Sequence, residues 1–222
     1  MQVKKTIFLL LVISFTTICF IGDKKRAQRI VVLDPAGDAK RAGRRIGDSF
    51  ERGLTLQCAE KIKELVEQGA PHIKVVITRM PGDNVYELQN ASLSNRIHAD
   101  LFINLNFYYC QATKPTLFLY QFSYGNDFVQ NDSGLILQSY EQAYRINKHV
   151  TNELVQLFTT ALSAHTYQQL FTVAAPRSLP IKPLIGIVAP SIAVEAGLKN
   201  KELWQSYVEP LAHAIIAAVD NL

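Results

Sequence analysis

Arg29-Ile-Val-Val-Leu-Asp34, followed at once by Pro35, decides the fold class. A short apolar run rich in β-branched residues, without helical spacing, reads as a buried strand whose carboxyl end opens into a loop. Working outward, the period changes. Asp48 or Ser49 is placed to cap a helix from about Phe50 to Gln68, with Leu54, Cys58, Ile62, Leu65 and Val66 on one face. Gly69 and Pro71 stop it. Ile73–Thr78 reads as a second strand, Val85–His98 as a helix, Asp100–Asn106 as a third strand and Thr116–Phe122 as a fourth. A long helix from about Leu137 to Ser163 follows, then two late strands, Pro183–Val188 and Ser191–Glu195. Asn200–Val219 closes the chain as a helix with Leu203, Tyr207, Leu211, Ile215 and Val219 on one stripe. Strands alternating with helices predict an α/β fold: a single three-layer domain over 27–222, a mostly parallel twisted sheet with helices on both faces.

Composition bounds the function. The 222 residues are 48% hydrophobic and 19% charged, which excludes a wholly disordered chain. A formal net charge of +4 is too small to point to nucleic acid as the partner. Three cysteines are too few for a disulfide scaffold. Cys58 and Cys110 have the option of pairing, but read better as two buried thiols.

Segment 1–26 reads as an export signal or membrane anchor. Lys4 and Lys5 precede an uncharged apolar run over 6–22, and Asp23, Lys24, Lys25 and Arg26 end it. That run is at the short edge of a membrane span of about 17–25 residues. Cleavage is the first expectation, an uncleaved anchor the second, and lipidation at Cys19 a distant third. In each case the rest of the chain is exported, to the periplasm or cell envelope, and any membrane contact is through this segment alone.

In sheets of this kind, chemistry is built at the carboxyl ends of the strands. Those positions are Asp34–Asp38, Asn104–Phe107 and Glu195–Leu198, with Glu51 opening the first helix beside them.

Five pieces in order carry a resemblance: Ile30-Val-Val-Leu-Asp-Pro35, Glu51 leading a helix, Val75-Val-Ile-Thr-Arg79, Ala99-Asp-Leu-Phe-Ile-Asn104 and Pro190-Ser-Ile-Ala-Val-Glu-Ala-Gly-Leu-Lys-Asn200. Over about residues 29–220 the chain resembles the zinc-dependent N-acetylmuramoyl-L-alanine amidases, bacterial cell-wall hydrolases. The resemblance implies zinc held by two histidines and a glutamate, and a second glutamate acting as general base on a metal-bound water. The bond cut in that family joins N-acetylmuramic acid to the L-alanine of the stem peptide. Glu51 falls on the ligand glutamate and Glu195 on the catalytic one. Gly37 and Asn106 stand where the two ligand histidines are expected.

Glycine has no ligating side chain, an asparagine amide is a poor zinc ligand, and Glu51 alone cannot hold the ion. His72, His98, His149, His165 and His213 lie on turns and helix faces that do not converge on this place. Asp38 is a possible substitute: with Glu51 and Glu195 it would make a three-carboxylate site suited to a hard cation, and its competing role is to cap a turn. If Glu51 and Glu195 face each other without a metal, one of Arg41, Arg44 and Arg45 is expected to supply the missing positive charge. Phe107, Tyr108, Tyr109, Tyr120, Phe122 and Tyr124 read mainly as sheet packing, with Tyr108 or Tyr109 able to stack on a sugar.

Three functions follow. The first is a degenerate amidase-like domain, without zinc or hydrolysis, binding peptidoglycan or regulating an envelope protein. The second is an active peptidoglycan hydrolase with a rebuilt metal site and Glu195 as base. The third is a purely structural or partner-binding module.

Overall fold

The computed structural model describes residues 27–86, 88–125 and 139–222. The N-terminal export segment with Cys19, and the first residues of the long helix expected from Leu137, lie outside the described residues. In chain order the strands are β1 (Arg29–Pro35), β2 (Arg45–Ile46), β3 (Ser49–Phe50), β4 (Ile73–Ile77), β5 (Leu101–Tyr109), β6 (Thr116–Phe122), β7 (Thr172–Val173), β8 (Arg177–Leu179) and β9 (Ser191–Leu198). The helices are α1 (Glu51–Gly69), α2 (Gln89–Arg96), α3 (Lys148–Leu162) and α4 (Val208–Val219). The main sheet runs β4-β1-β5-β9-β6, with β7 and β8 along the outer edge of β6. Every pairing in it is parallel except β6 with β9.

Alternation along the strands separates two cores. On the first face Val31, Leu33, Ile103, Leu105, Phe107, Val194 and Ala196 pack against α1, α3 and α4. On the second face Val32, Phe102, Ala193 and Phe122 meet Ala91 of α2, Tyr144, Leu184 and Ile187. Helices therefore lie on both faces, as the alternation predicts. Among the described residues the cover of the second face stops short. At the carboxyl ends of β5 and β9, Asn106, Tyr108, Glu195, Phe118 and Tyr120 are half-buried rather than sealed.

Several elements differ from the sequence reading. Pro183–Val188 is not a strand: a 3-10 turn spans Lys182–Leu184 and Gly186 takes φ +79°. Pro183 lacks the N–H a ladder requires, and the glycine turns the chain out of extended conformation. Neither Asp48 nor Ser49 caps α1; its N-cap is Phe50, with no side-chain cap. The first amide donors of α1 go instead to loop carbonyls, Glu51 N–H to Arg44 O at 2.8 Å and Arg52 N–H to Ala42 O at 3.1 Å. The helix expected over Val85–His98 shrinks to α2, because Leu88 sits in the left-handed region at φ 60°. The two long C-terminal helices each open with a 3-10 segment, Tyr140–Asn147 and Leu203–Tyr207. Cys58 and Cys110 are free; Cys58 is fully buried and Cys110 half-buried.

Candidate functional site

The loop between β1 and α1 is built on Asp38. Its Oδ1 accepts from the backbone N–H of Lys40 (2.9 Å) and Arg41 (2.7 Å), which closes a turn. Its Oδ2 accepts from Arg41 Nη2 at 2.6 Å and Nε at 3.0 Å. The Arg41 hydrogen bonds hold the Asp38 carboxyl well below the usual carboxylate range. Beneath the loop, buried Arg79 donates to the carbonyls of Pro35, Ala36 and Arg52. These bonds fix the start of α1 relative to the end of β1. A tight β2–β3 hairpin turning at Gly47 (φ +63°) then closes the loop.

Glu51 is buried at the first turn of α1, and both of its oxygens are taken by backbone amides. Oε1 accepts from Phe107 N–H and Oε2 from Arg44 N–H, each at 2.9 Å. Gly43 lies against it at φ +76°, where an added Cβ would come within 2.8 Å of Oε2. The carboxylate thus ties the loop to the end of β5.

Arg44 closes the arrangement. Its Nη1 forms an ion pair with Glu195 Oε1 at 2.6 Å and donates to Phe107 O at 3.1 Å. The other carboxylate oxygen of Glu195, Oε2, accepts from the Tyr120 hydroxyl at 2.8 Å. Burial and the neighbouring Glu195 push the Tyr120 phenol up to about 12. Of the three arginines expected to supply charge, Arg44 is the one that reaches Glu195. Arg41 is held by Asp38, and Arg45 Nε donates to Gly47 O.

The two histidine positions are filled in other ways. Gly37 has φ +81°, and a Cβ there would lie 2.7 Å from Arg52 Cβ and 3.0 Å from Arg41 O. No side chain fits on this backbone. Asn106 sits beside Glu195 in register, but its Nδ2 donates to Asn104 Oδ1 at 2.5 Å. Asn104 Nδ2 donates in turn to Asp34 Oδ2 at 2.8 Å. Asp34 also accepts from Thr78 and Asn90. Burial raises the Asp34 carboxyl to about 6 against the lowering effect of these bonds and of Arg79.

Zinc does not fit this set. One histidine position has no room for a side chain, the other is drawn into an amide ladder, Glu51 faces amides, and a guanidinium stands against Glu195. Asp38 does not repair the site. Its carboxylate belongs to Arg41, and among the described residues no group of three His, Cys, Asp or Glu side chains converges to hold a metal. The histidines are elsewhere: His72 meets Asp220 and His213 meets Tyr167.

The structure brings together Glu51, Glu195 and Arg44, which the sequence singled out, with Tyr120, which the sequence read as sheet packing, and with Gly43 and the Asp34–Asn104–Asn106 ladder, which it did not signal. Tyr120 became visible once β6 was known to lie antiparallel to β9, which brings its side chain onto the Glu195 face. The sugar-stacking reading of the tyrosines changes too. The Tyr108 hydroxyl is held by Thr116 O, and half-exposed Tyr109 alternates onto the other face of β5.

No protein-family model and no curated protein sequence matches the chain. Solved structures do. The catalytic domain of CwlV, an N-acetylmuramoyl-L-alanine amidase from Bacillus (Paenibacillus) polymyxa var. colistinus, is 16% identical, with a TM-score of 0.60 over 87% of this chain and 99% of that one. An N-acetylmuramyl-L-alanine amidase of Mycobacterium smegmatis is 15% identical, with a TM-score of 0.63 over 88% and 99%. The CwlD amidase of Clostridioides difficile, solved in complex with the GerS lipoprotein, is 16% identical, with a TM-score of 0.61 over 87% and 98%. The mostly parallel sheet with helices on both faces agrees with the fold expected from the sequence, and the chain has the fold of the N-acetylmuramoyl-L-alanine amidase catalytic domains.

Proposed function

We propose that this protein is a non-hydrolytic relative of the amidases that acts at the bacterial cell envelope, binding peptidoglycan or regulating an envelope protein. The observation that carries this reading is the Arg44–Glu195 ion pair. A general base must accept a proton from a polarised water. Here one carboxylate oxygen faces a guanidinium and the other a phenol, and Gly37 and Asn106 stand where the resemblance places the two zinc-binding histidines. The ion pair supplies by a fixed cation the charge balance that a metal would otherwise supply. No step of hydrolysis is assigned to this chain.

The retained fold, and a second face whose upper half is only half-buried by the described residues, favour a binding role over a purely structural one. In this reading segment 1–26 directs export or anchors the protein, and 27–222 is the binding domain. Among the described residues no helix is long and apolar enough to cross a membrane.

The test measures zinc per molecule by elemental mass spectrometry after dialysis against excess zinc, alongside cosedimentation with purified sacculi and release of stem peptides from them. The expected result is cosedimentation, no stoichiometric zinc and no release. One tight zinc per molecule together with peptide release overturns the reading.

A further inference from the structure

The two oxygens of the Asp34 carboxylate are served unevenly. Thr78 Oγ1 and Asn90 Nδ2 both donate to Oδ1, at 2.8 and 2.7 Å, whereas Oδ2 accepts from Asn104 Nδ2 at 2.8 Å. Asn104 Nδ2 also donates to the Asp34 carbonyl at 3.1 Å, and Asn104 Oδ1 accepts from Asn106 Nδ2 at 2.5 Å. Charge dictates this order. An ionised carboxylate only accepts, so Asn104 must turn its NH2 toward it, which leaves the Asn104 oxygen for the NH2 of Asn106. Asp34 and Asn104 are buried, while Asn106 is half-buried and in register with Glu195. The ladder therefore runs from the interior to the residue beside Glu195.

A proton on Asp34 reverses it. Oδ1 already holds two donors, so protonation at Oδ2 displaces the fewer bonds. The new O–H meets the NH2 of Asn104, donor against donor, at a buried position where an unmet donor is costly. Half a turn of the Asn104 amide brings its Oδ1 to the O–H. Its NH2 then faces Asn106, whose amide turns likewise and accepts through its oxygen. Two bonds run along the ladder in either order. The acid order gives up the bond from Asn104 Nδ2 to the Asp34 carbonyl and the 3.4 Å bond from Asn106 Nδ2 to Val194 O. Two bonded arrangements on one backbone make a two-state element that a proton biases.

The surroundings bring the proton into range. Burial raises the Asp34 carboxyl to about 6 against Thr78, Asn104, Arg79 and Asn90. β4 and the residues after it contribute Thr78 and Arg79, α2 contributes Asn90 and β5 contributes Asn104; Arg79 is the charged group among these. Asp38, Arg52 and Asp83 act on Arg79 in turn. At the far end Glu195 is paired with Arg44.

We propose that Asp34, Asn104 and Asn106 form a proton-driven amide relay, in which protonation of the buried carboxyl turns both amides over and exchanges the oxygen and the NH2 of Asn106 beside Glu195. The competing route is a turn of Asn90 alone, whose Oδ1 has no partner among the described residues.

The test follows the side-chain amide resonances of Asn90, Asn104 and Asn106 in the 15N-labelled full chain from pH 4 to pH 8, with Asn104→Ala and Asn106→Ala to assign them. Asn104 and Asn106 should move together with one midpoint near pH 6. Asp34→Asn places a permanent NH2 where the acid O–H would be and should hold both amides at their acid positions up to pH 8. Asn106→Ala should leave the Asn104 titration in place. Thermal unfolding checks that each variant is folded, and the titration of the parent tests the relay without them. Several results overturn the proposal: no titration of Asn104, movement of Asn104 without Asn106, or movement of Asn90 while the ladder stays still. Titration of Asn104 and Asn106 that survives in Asp34→Asn also overturns it, tracing the change to a histidine instead.

Discussion

Replacing Arg44 by alanine removes two contacts at once, the 2.6 Å pair with Glu195 and the 3.1 Å bond to Phe107 O. Hydrogen bonds to charged groups contribute about 1.5–3 kcal/mol when buried, and exposed ion pairs about 0–1 kcal/mol. The Glu195 side chain is 18% exposed and that of Arg44 is 51%, so the pair lies between these limits. Water screens the arginine end, while the glutamate loses its cationic partner. An expected destabilisation of about 1.5 kcal/mol follows, which for a domain of this size lowers Tm by roughly 3–6 °C. Urea and thermal unfolding of Arg44→Ala, Glu195→Gln and the double variant form a cycle that isolates the pair. The coupling energy should be about 1 kcal/mol. Arg45→Ala, which removes only a bond to Gly47 O, is the control and should stay within about 0.5 kcal/mol of the parent. If Arg44→Ala shifts Tm by less than about 1 °C, or the two single changes add within about 0.3 kcal/mol, Arg44 is an ordinary surface cation and the account of the site fails.

Two further predictions follow from buried neighbours. Asp34 has a folded pKa of about 6, above its ordinary 3.8. Its favourable contribution is therefore complete below about pH 4 and is lost as pH rises through 6, a change of about 3 kcal/mol for a fully buried group. Urea unfolding of the parent and Asp34→Asn from pH 4 to pH 7 should show the difference between them moving by about that amount, in favour of the variant at high pH; parallel curves exclude the shift. Gly37→His should destabilise the fold by at least about 2 kcal/mol without adding bound zinc, since its Cβ would lie 2.7 Å from Arg52 Cβ at a positive φ. A stable variant that binds a full equivalent of zinc contradicts the backbone described for this loop.

The legible and illegible parts of the chain divide along a physical line. β1, β5 and β9 were readable because a strand buried on both faces shows as a largely apolar run, and β4, an edge strand with Lys74 exposed, was readable from its β-branched residues. Glu51 and Glu195 were readable because they sit where such runs end. β7 and β8 were not, being two and three residues long at the sheet edge, where burial imposes little pattern. The apolar segment Pro183–Val188 looked like a strand because it is buried, yet its proline and positive-φ glycine make it a covering loop. Within the site, local spacing placed three arginines near two carboxylates but could not choose among them. The choice depends on Asp38, which captures Arg41 through two guanidinium bonds, and on the hairpin turn at Gly47, which draws Arg45 back onto its own loop. Those contacts leave Arg44 facing Phe107 and Glu195.

The missing histidines are thus coupled to everything around them. Gly37 allows Arg52 to pack against the loop, and Arg52 Nη1 donates to the carbonyls of Asp38 and Ala39. Gly43 allows Glu51 to turn its carboxylate onto the amides of Arg44 and Phe107. That places Arg44 so that its guanidinium covers Glu195, and Tyr120 takes the remaining oxygen. Asn106 is held by the ladder that ends at Asp34. Restoring one imidazole would meet a filled space at 37 or disrupt the amide ladder at 106, with the Arg44 cation still against Glu195. Two unit charges of like sign about 4 Å apart repel by roughly 4 kcal/mol at an effective dielectric of 20, and a divalent ion beside Arg44 would meet about twice that. A metal site in this scaffold therefore requires Gly37, Asn106 and Arg44 to change together with the backbone that supports them. Each of these side chains already has a partner, so the present arrangement is a self-consistent packing of this fold.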